Sequence, residues 1–134
     1  MSDLTELITG LPCFKAPSNI TPLGGGITNT NVTVEDEDCK YVVRIGSDIA
    51  EHGVMRWNEL ALSQAAYKLG ISPKVIYHKT GVLVLEFIDA HTLDEVAVRE
   101  PKNLTRIINL VSKTHREIGK CLHSPILTFW PFQI

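Results

Sequence analysis

The chain has 134 residues, of which 44% are apolar and 21% charged, with 13 Lys and Arg against 15 Asp and Glu for a net charge of −2. That balance excludes an intrinsically disordered chain, and it offers neither a basic stripe for nucleic acid nor a polybasic membrane patch. No apolar run approaches the ~20 residues of a membrane span, and the start, MSDLTEL, lacks the layout of a secretion signal, so a cytoplasmic globular protein is expected.

The first predicted element is a short helix over residues 2–9. Leu4, Leu7 and Ile8 share one face, Ser2 can cap it, and Gly10 and Pro12 stop it. A stretch rich in Ile, Val and Thr follows, the composition of strands. Strands over about 20–24 and 27–34 flank the triple glycine Gly24, Gly25 and Gly26, and an acidic turn at 35–38 leads into a third strand over 41–45. Connections this short make the three strands antiparallel.

Val54, Trp57, Ala61, Ala65 and Leu69 recur at helical spacing, so a helix is predicted over 54–69, with Gly70 as its stop. Strands over 75–77 and 82–87 join through a Lys-Thr-Gly turn at 79–81. Thr92 can cap a short helix to about residue 98. Pro101 opens a longer one over 102–118, striped by Leu104, Ile107, Ile108, Val111, His115 and Ile118. The pattern changes near 89–92, from sheet to helix. The tail SPILTFWPFQI is apolar and ends without a polar cap, so Phe129, Trp130 and Phe132 are expected to pack against a second copy of the chain or a further lobe.

Cys13, Cys39 and Cys121 are widely spaced with no CxxC pair, which argues against a disulfide framework or a zinc ribbon. His115, Cys121 and His123 fit no standard metal-ligand spacing. Three features remain that can carry chemistry. The glycine turn lets backbone N–H groups approach an anion, with the Thr28 hydroxyl and Asn29 amide adding polar contacts. It is neither a strand-GxGxxG-helix dinucleotide motif nor a GxxxxGK[ST] phosphate loop. Arg44 lies in the third strand on the face of Val42. Glu59, on the helix, either pairs with Arg44 or is a surface charge with Arg56 as its i−3 partner. Leu85 to Asp89 ends the last strand, where alternating C=O and N–H groups can meet a purine edge or Glu86 can simply face solvent.

Taken in order, these features resemble a known family. Residues 12–134 are similar to the N-terminal part of the choline/ethanolamine kinase family, within the aminoglycoside phosphotransferase and protein-kinase-like superfamily, and most to its bacterial choline-kinase-like branch. LPCF precedes the first strand, ITPLGGGITNTNV matches the nucleotide loop, and YVVRIG the strand with its basic residue. NELALSQAAYKLGISPKVIY matches the helix and fourth strand, VLVLEFIDAHTL the hinge, and the helix ending near Thr114-His115 the first helix of a second lobe.

The resemblance implies an α+β fold, a protein-kinase-like N-lobe of about five antiparallel strands with one packed helix. Residues 1–18 would be an N-terminal helix and connection, 19–90 the lobe, and 91–134 the hinge and first helices of an incomplete C-terminal lobe. It implies ATP as cofactor, covered by Gly24, Gly25, Gly26, Thr28 and Asn29. Arg44 would stand where other kinases have a strand lysine, with Glu59 as its partner. Glu86 C=O and Ile88 N–H would bond adenine, with Ile45, Val75 and Leu85 as walls. The implied reaction is phosphorylation of a hydroxyl group, choline or ethanolamine favoured over thiamine, a sugar or an aminoglycoside. The family's catalytic His-x-Asp loop and magnesium-holding acids have no match here, since no histidine of the chain has Asp two residues on. The resemblance therefore places the catalytic base and the Mg ligands in the other lobe and implies a chain inactive alone. Two other readings remain, a degenerate kinase serving as a nucleotide- or protein-binding module, and a sheet-and-helix interaction domain with no nucleotide site.

Overall fold

The structure, a computed structural model, describes residues 2–24 and 28–128. Gly25, Gly26 and the predicted strand start at Ile27 lie outside the described residues, as do Phe129, Trp130 and Phe132 of the tail. Helix α1 (Ser2–Thr9) leads into strands β1 (Pro17–Leu23), β2 (Thr30–Asp36) and β3 (Cys39–Ile45), followed by helix α2 (Arg56–Lys68). Strands β4 (Val75–Lys79) and β5 (Val82–Glu86) complete the sheet, and helices α3 (Glu95–Arg99) and α4 (Pro101–Glu117) close the chain with a 3₁₀ turn at Ile118–Cys121. The strands form one sheet in the order β1-β2-β3-β5-β4, with every neighbouring pair antiparallel. This is the α+β architecture that the sequence predicts.

Side-chain alternation divides the work between the two faces. Val32, Val34, Val43, Val82 and Val84 cluster with Ile8, Leu11 and Phe14, so one face is buried under α1 and the connection after it. Ile8, Val32, Val34, Val43 and Val84 are fully buried. Ile45 packs against this same cluster. It therefore lies on the opposite face from Arg44 and cannot be a wall of a base site there, which corrects the expectation. Val75 and Leu85 are cross-strand partners, and Val42 faces Leu85 across the β3–β5 ladder.

The turn before β3 is tighter than predicted. Glu35 and Asp36 belong to β2, and Glu37, with φ of 54°, makes the reversal with Asp38. Asp36 is buried, and backbone donors compensate its desolvation. Its carboxylate accepts the N–H of Lys15 at 3.1 Å and of Ala16 at 2.7 Å. It thereby ties the connection from α1 to the hairpin. β1 starts earlier than predicted, through a register shift between Ser18 and Thr21 where Asn19 takes a positive φ of 49°. Two prolines are tolerated there because β1 is an edge strand.

Helix α2 starts at Arg56 rather than Val54, and its first N–H is met by Asp48 Oδ1 at 2.6 Å, eight residues back. Gly70 ends it as predicted. Gly70 N–H bonds Tyr67 O at 2.8 Å and Ile71 N–H bonds Ala66 O at 3.0 Å, the paired closure that a residue with φ of 69° permits. Of the predicted apolar stripe only Ala65 is fully covered, and Trp57 is exposed. The cap of α3 is Asp94, whose Oδ1 accepts Ala97 N–H at 2.7 Å, and not Thr92. The predicted stripe of α4 faces outward, with Leu104, Ile108 and Val111 exposed, while the helix is pinned by polar contacts. Asn103 donates to Ala97 O at 2.9 Å, and Lys113 to Leu69 O at the end of α2 at 2.7 Å.

Candidate functional site

β3 and α2 bring Arg44 and Glu59 together across the sheet face that α1 leaves uncovered. Arg44 sits opposite Asn31 on β2 and Leu83 on β5. Its Nη1 donates to Glu59 Oε1 at 2.6 Å, and its Nε to Asn31 Oδ1 at 3.2 Å. The other carboxylate oxygen of Glu59 accepts from Arg56 Nη1 at 2.8 Å. Both candidate partners of Glu59 are thus engaged at once, one per oxygen. Arg56 continues outward, donating through Nε to Ser47 O at 2.9 Å.

The electrostatics follow from this arrangement. Burial alone would raise the Glu59 carboxyl. The hydrogen bonds and positive charges of Arg44 and Arg56 outweigh that and hold it below its ordinary 4.5. Two guanidiniums against one carboxylate leave a net positive charge. The side chain of Arg44 keeps 34% of its surface exposed against 15% for Arg56, so Arg44 is the more accessible of the two cations.

Beside the cluster lies a cleft of about 480 Å³, within the size range of small-molecule sites. Arg44, Glu59 and Arg56 line it together with Trp57, Leu83 and the β4–β5 turn. The other predicted residues do not line this cleft and do not share one end of the sheet. Gly24, Thr28 and Asn29 stand at the end where Thr30, Ile45 and Val82 pair, whereas Glu86 and Ile88 stand at the opposite end. Gly24 follows β1 and Thr28 precedes β2, both exposed, while Asn29 is half-buried and stands next to β2. Gly25 and Gly26 lie outside the described residues. Glu86 ends β5 opposite Tyr41. Because Phe87 N–H bonds Lys40 O at 3.1 Å, strand alternation turns the peptide groups of Glu86 away from β3, and its N–H meets Lys74 O at 2.9 Å. Ile88 follows in the exposed connection.

Asn31 and Arg56 are the contributors that sequence reasoning missed or undervalued. Asn31 needed the β2–β3 register to be paired with Arg44, and nothing local announces it. Arg56 carried a signal, the i,i+3 spacing to Glu59, but that spacing is equally common on solvated helix faces. Among the described residues no group of three His, Cys, Asp or Glu side chains comes together to hold a metal ion. No chemical step is assigned to magnesium.

No protein-family model matches the chain. Protein LicA of Haemophilus influenzae is 27% identical over 94 residues, which cover 68% of this chain and 28% of LicA. Among solved structures, an ethanolamine kinase of Plasmodium vivax matches with a TM-score of 0.63 at 25% identity, covering 73% of this chain and 26% of that one. The chain thus spans between a quarter and a third of the length of either protein. The fold is that of a kinase-like N-lobe.

Proposed function

We propose that this chain is the nucleotide-covering part of an ATP-dependent kinase that phosphorylates a hydroxyl group on a small molecule, with choline or ethanolamine as the favoured acceptor. The observation that carries the reading is the 2.6 Å bond from Arg44 on β3 to Glu59 on α2. A strand cation held by a helix carboxylate is an arrangement suited to phosphate: the carboxylate fixes the guanidinium, and the surplus positive charge of Arg56 keeps the site attractive to an anion. The likeness to the Plasmodium vivax ethanolamine kinase supports the same reading and the choice of acceptor.

In this reading Arg44 binds an oxygen of the ATP phosphates. Gly24, Gly25, Gly26, Thr28 and Asn29 keep the phosphate-covering role that the resemblance implies for them. Glu86 C=O and Ile88 N–H take the edge of adenine, with Val75 and Leu85 behind it. Phosphoryl transfer depends on positioning, on metal and on charge, together with a group that orients the acceptor hydroxyl. We assign that group and the magnesium ligands to a second lobe, which residues 91–134 open. This chain then binds nucleotide and turns over little or none of it.

The test is a thermal melt of the chain with and without ATP, beside an ADP-release assay with choline and with ethanolamine. A ligand that binds only the folded form raises its stability. ATP is expected to raise the melting midpoint, Arg44→Ala to remove the rise, and ADP release to stay at background. No ATP-dependent rise in the unsubstituted chain overturns the binding role, and robust turnover overturns the assignment of the missing groups to a second lobe.

A further inference from the structure

The sheet holds one last residue before the connection to α3. Phe87, just beyond β5, donates its N–H to Lys40 O at 3.1 Å, which extends the β3–β5 ladder past the Tyr41–Glu86 pair. The same lysine returns with its side chain: Lys40 Nζ stands 4.5 Å from the centroid of the Phe87 ring, within cation–π range. Alternation along β3 puts Lys40 on the face of Val42 and Arg44, the one that α1 leaves uncovered. Its cross-strand neighbour on β2 is Glu35, whose Oε2 accepts from Asn19 Nδ2 at 2.5 Å, and the ring rather than that carboxylate receives the ammonium. From residue 88 to residue 94 the chain is exposed and without regular structure. Phe87 is therefore where the order of the sheet ends, and Lys40 grips it by main chain and side chain together.

Phe87 separates Glu86 from Ile88, the two residues given to adenine in the nucleotide reading above, on which this inference rests. We propose that Lys40 is a positioning residue for base selection. Along its edge adenine presents an amino donor and then a ring-nitrogen acceptor, whereas guanine presents O6 and then an N–H, the reverse order. Glu86 C=O followed by Ile88 N–H complements the first and opposes the second. A site built to bond one pattern rejects the other, because mismatched polar groups are left unpaired. That rejection holds only while acceptor and donor keep their order and spacing. Glu86 is fixed from the β4 side, where its N–H meets Lys74 O at 2.9 Å. Ile88 is 54% exposed and takes its direction from Phe87. The main-chain bond sets where Phe87 lies, and the ammonium over its ring sets how it is turned, so Lys40 fixes the donor relative to the acceptor.

The experiment measures the affinities of ATP, GTP and inorganic tripolyphosphate by titration calorimetry in the full chain and in Lys40→Met, Lys40→Arg and Phe87→Leu, with a thermal melt of each without ligand. Lys40→Met keeps the length of the side chain and removes the cation. It is expected to weaken ATP about two- to fivefold, the worth of an exposed cation–π contact, and to leave tripolyphosphate unchanged. The preference for ATP over GTP should fall by the same factor. Lys40→Arg restores the contact and is expected to bind ATP as the parent does. Lys40→Met combined with Phe87→Leu should lose no more than the worse single variant. Unchanged ATP affinity in Lys40→Met overturns the proposal, whether or not that chain melts earlier, and so does an unchanged ratio of ATP to GTP. An equal loss of ATP and tripolyphosphate overturns it too, since that reports a missing charge rather than a misplaced backbone, as do additive losses in the double variant. If Lys40→Met does not fold, Phe87→Leu carries the same test. An unsubstituted chain that binds no ATP, or binds ATP and GTP alike, is the separate failure of the nucleotide reading, and the selection falls with it.

Discussion

At the scale of the residue, Glu59 holds the site's electrostatics. Burial works against its charge, and two arginines more than compensate, leaving its folded pKa below 4.5. A carboxylate depressed on folding contributes stability above its unfolded pKa and loses it as pH falls through the folded one. The contribution is therefore whole at neutral pH and declines below about pH 4.5. Glu59→Gln is expected to destabilise the chain by about 1–3 kcal/mol at pH 7, less than a fully buried pair because Arg44 is partly solvated. Thermal melts between pH 3 and 6, on the scale of an ordinary carboxylate titration, should show the gap between parent and variant closing toward the acid end. A gap that stays constant across that range would mean the two arginines do not act through the Glu59 charge. The pair Arg44 and Glu59 was legible in the sequence because a lone cation in an apolar strand and a carboxylate on the following helix are few enough to match. Asn31 was not, because cross-strand register is set by the whole hairpin and by no local pattern.

At the scale of the element, apolar periodicity revealed that helices and strands exist, while polar side chains decided where they begin. Asp36 looked like part of an acidic turn, since four consecutive acidic residues read as solvent-facing. Its burial arises from the backbone donors of Lys15 and Ala16, which only the docking of α1 brings near. Asp48 likewise starts α2 from outside the helix, at a spacing no capping pattern describes. Asp36→Ala strands those two N–H groups and is expected to cost about 1–3 kcal/mol, with Asp36→Asn losing less because one acceptor remains. Urea denaturation of the three chains orders them parent, Asn, Ala. An Ala variant as stable as the parent would mean that water satisfies the two donors and that the carboxylate does not anchor α1. The predicted face of α2 failed for a related reason: the side of the helix turned toward the sheet carries Arg56 and Glu59, so its contact is ionic as much as apolar.

At the scale of the whole molecule, the apolar content noted at the outset is unevenly spent. One face of the sheet is fully packed, while α3 and α4 leave Val96 73% exposed and Ile108 56% exposed, with Leu104, Leu110 and Val111 also open. Helical periodicity identified that stripe but could not say which way it points, because the same spacing describes a helix turned inward or outward. Adjacent apolar groups on a helix surface associate when nothing else covers them. The chain is therefore expected to self-associate as its concentration rises, through α4. Ile108→Asp with Val111→Ser removes the centre of the stripe. Because both side chains are exposed, each change should alter folding stability by no more than about 0.5 kcal/mol, leaving the thermal midpoint nearly unmoved. Sedimentation velocity over a concentration series separates the outcomes: the parent shifts to larger species and the double variant remains a monomer. A parent that stays monomeric throughout would show that the open stripe is too irregular to pair with itself. Equal association by both chains would place the contact elsewhere.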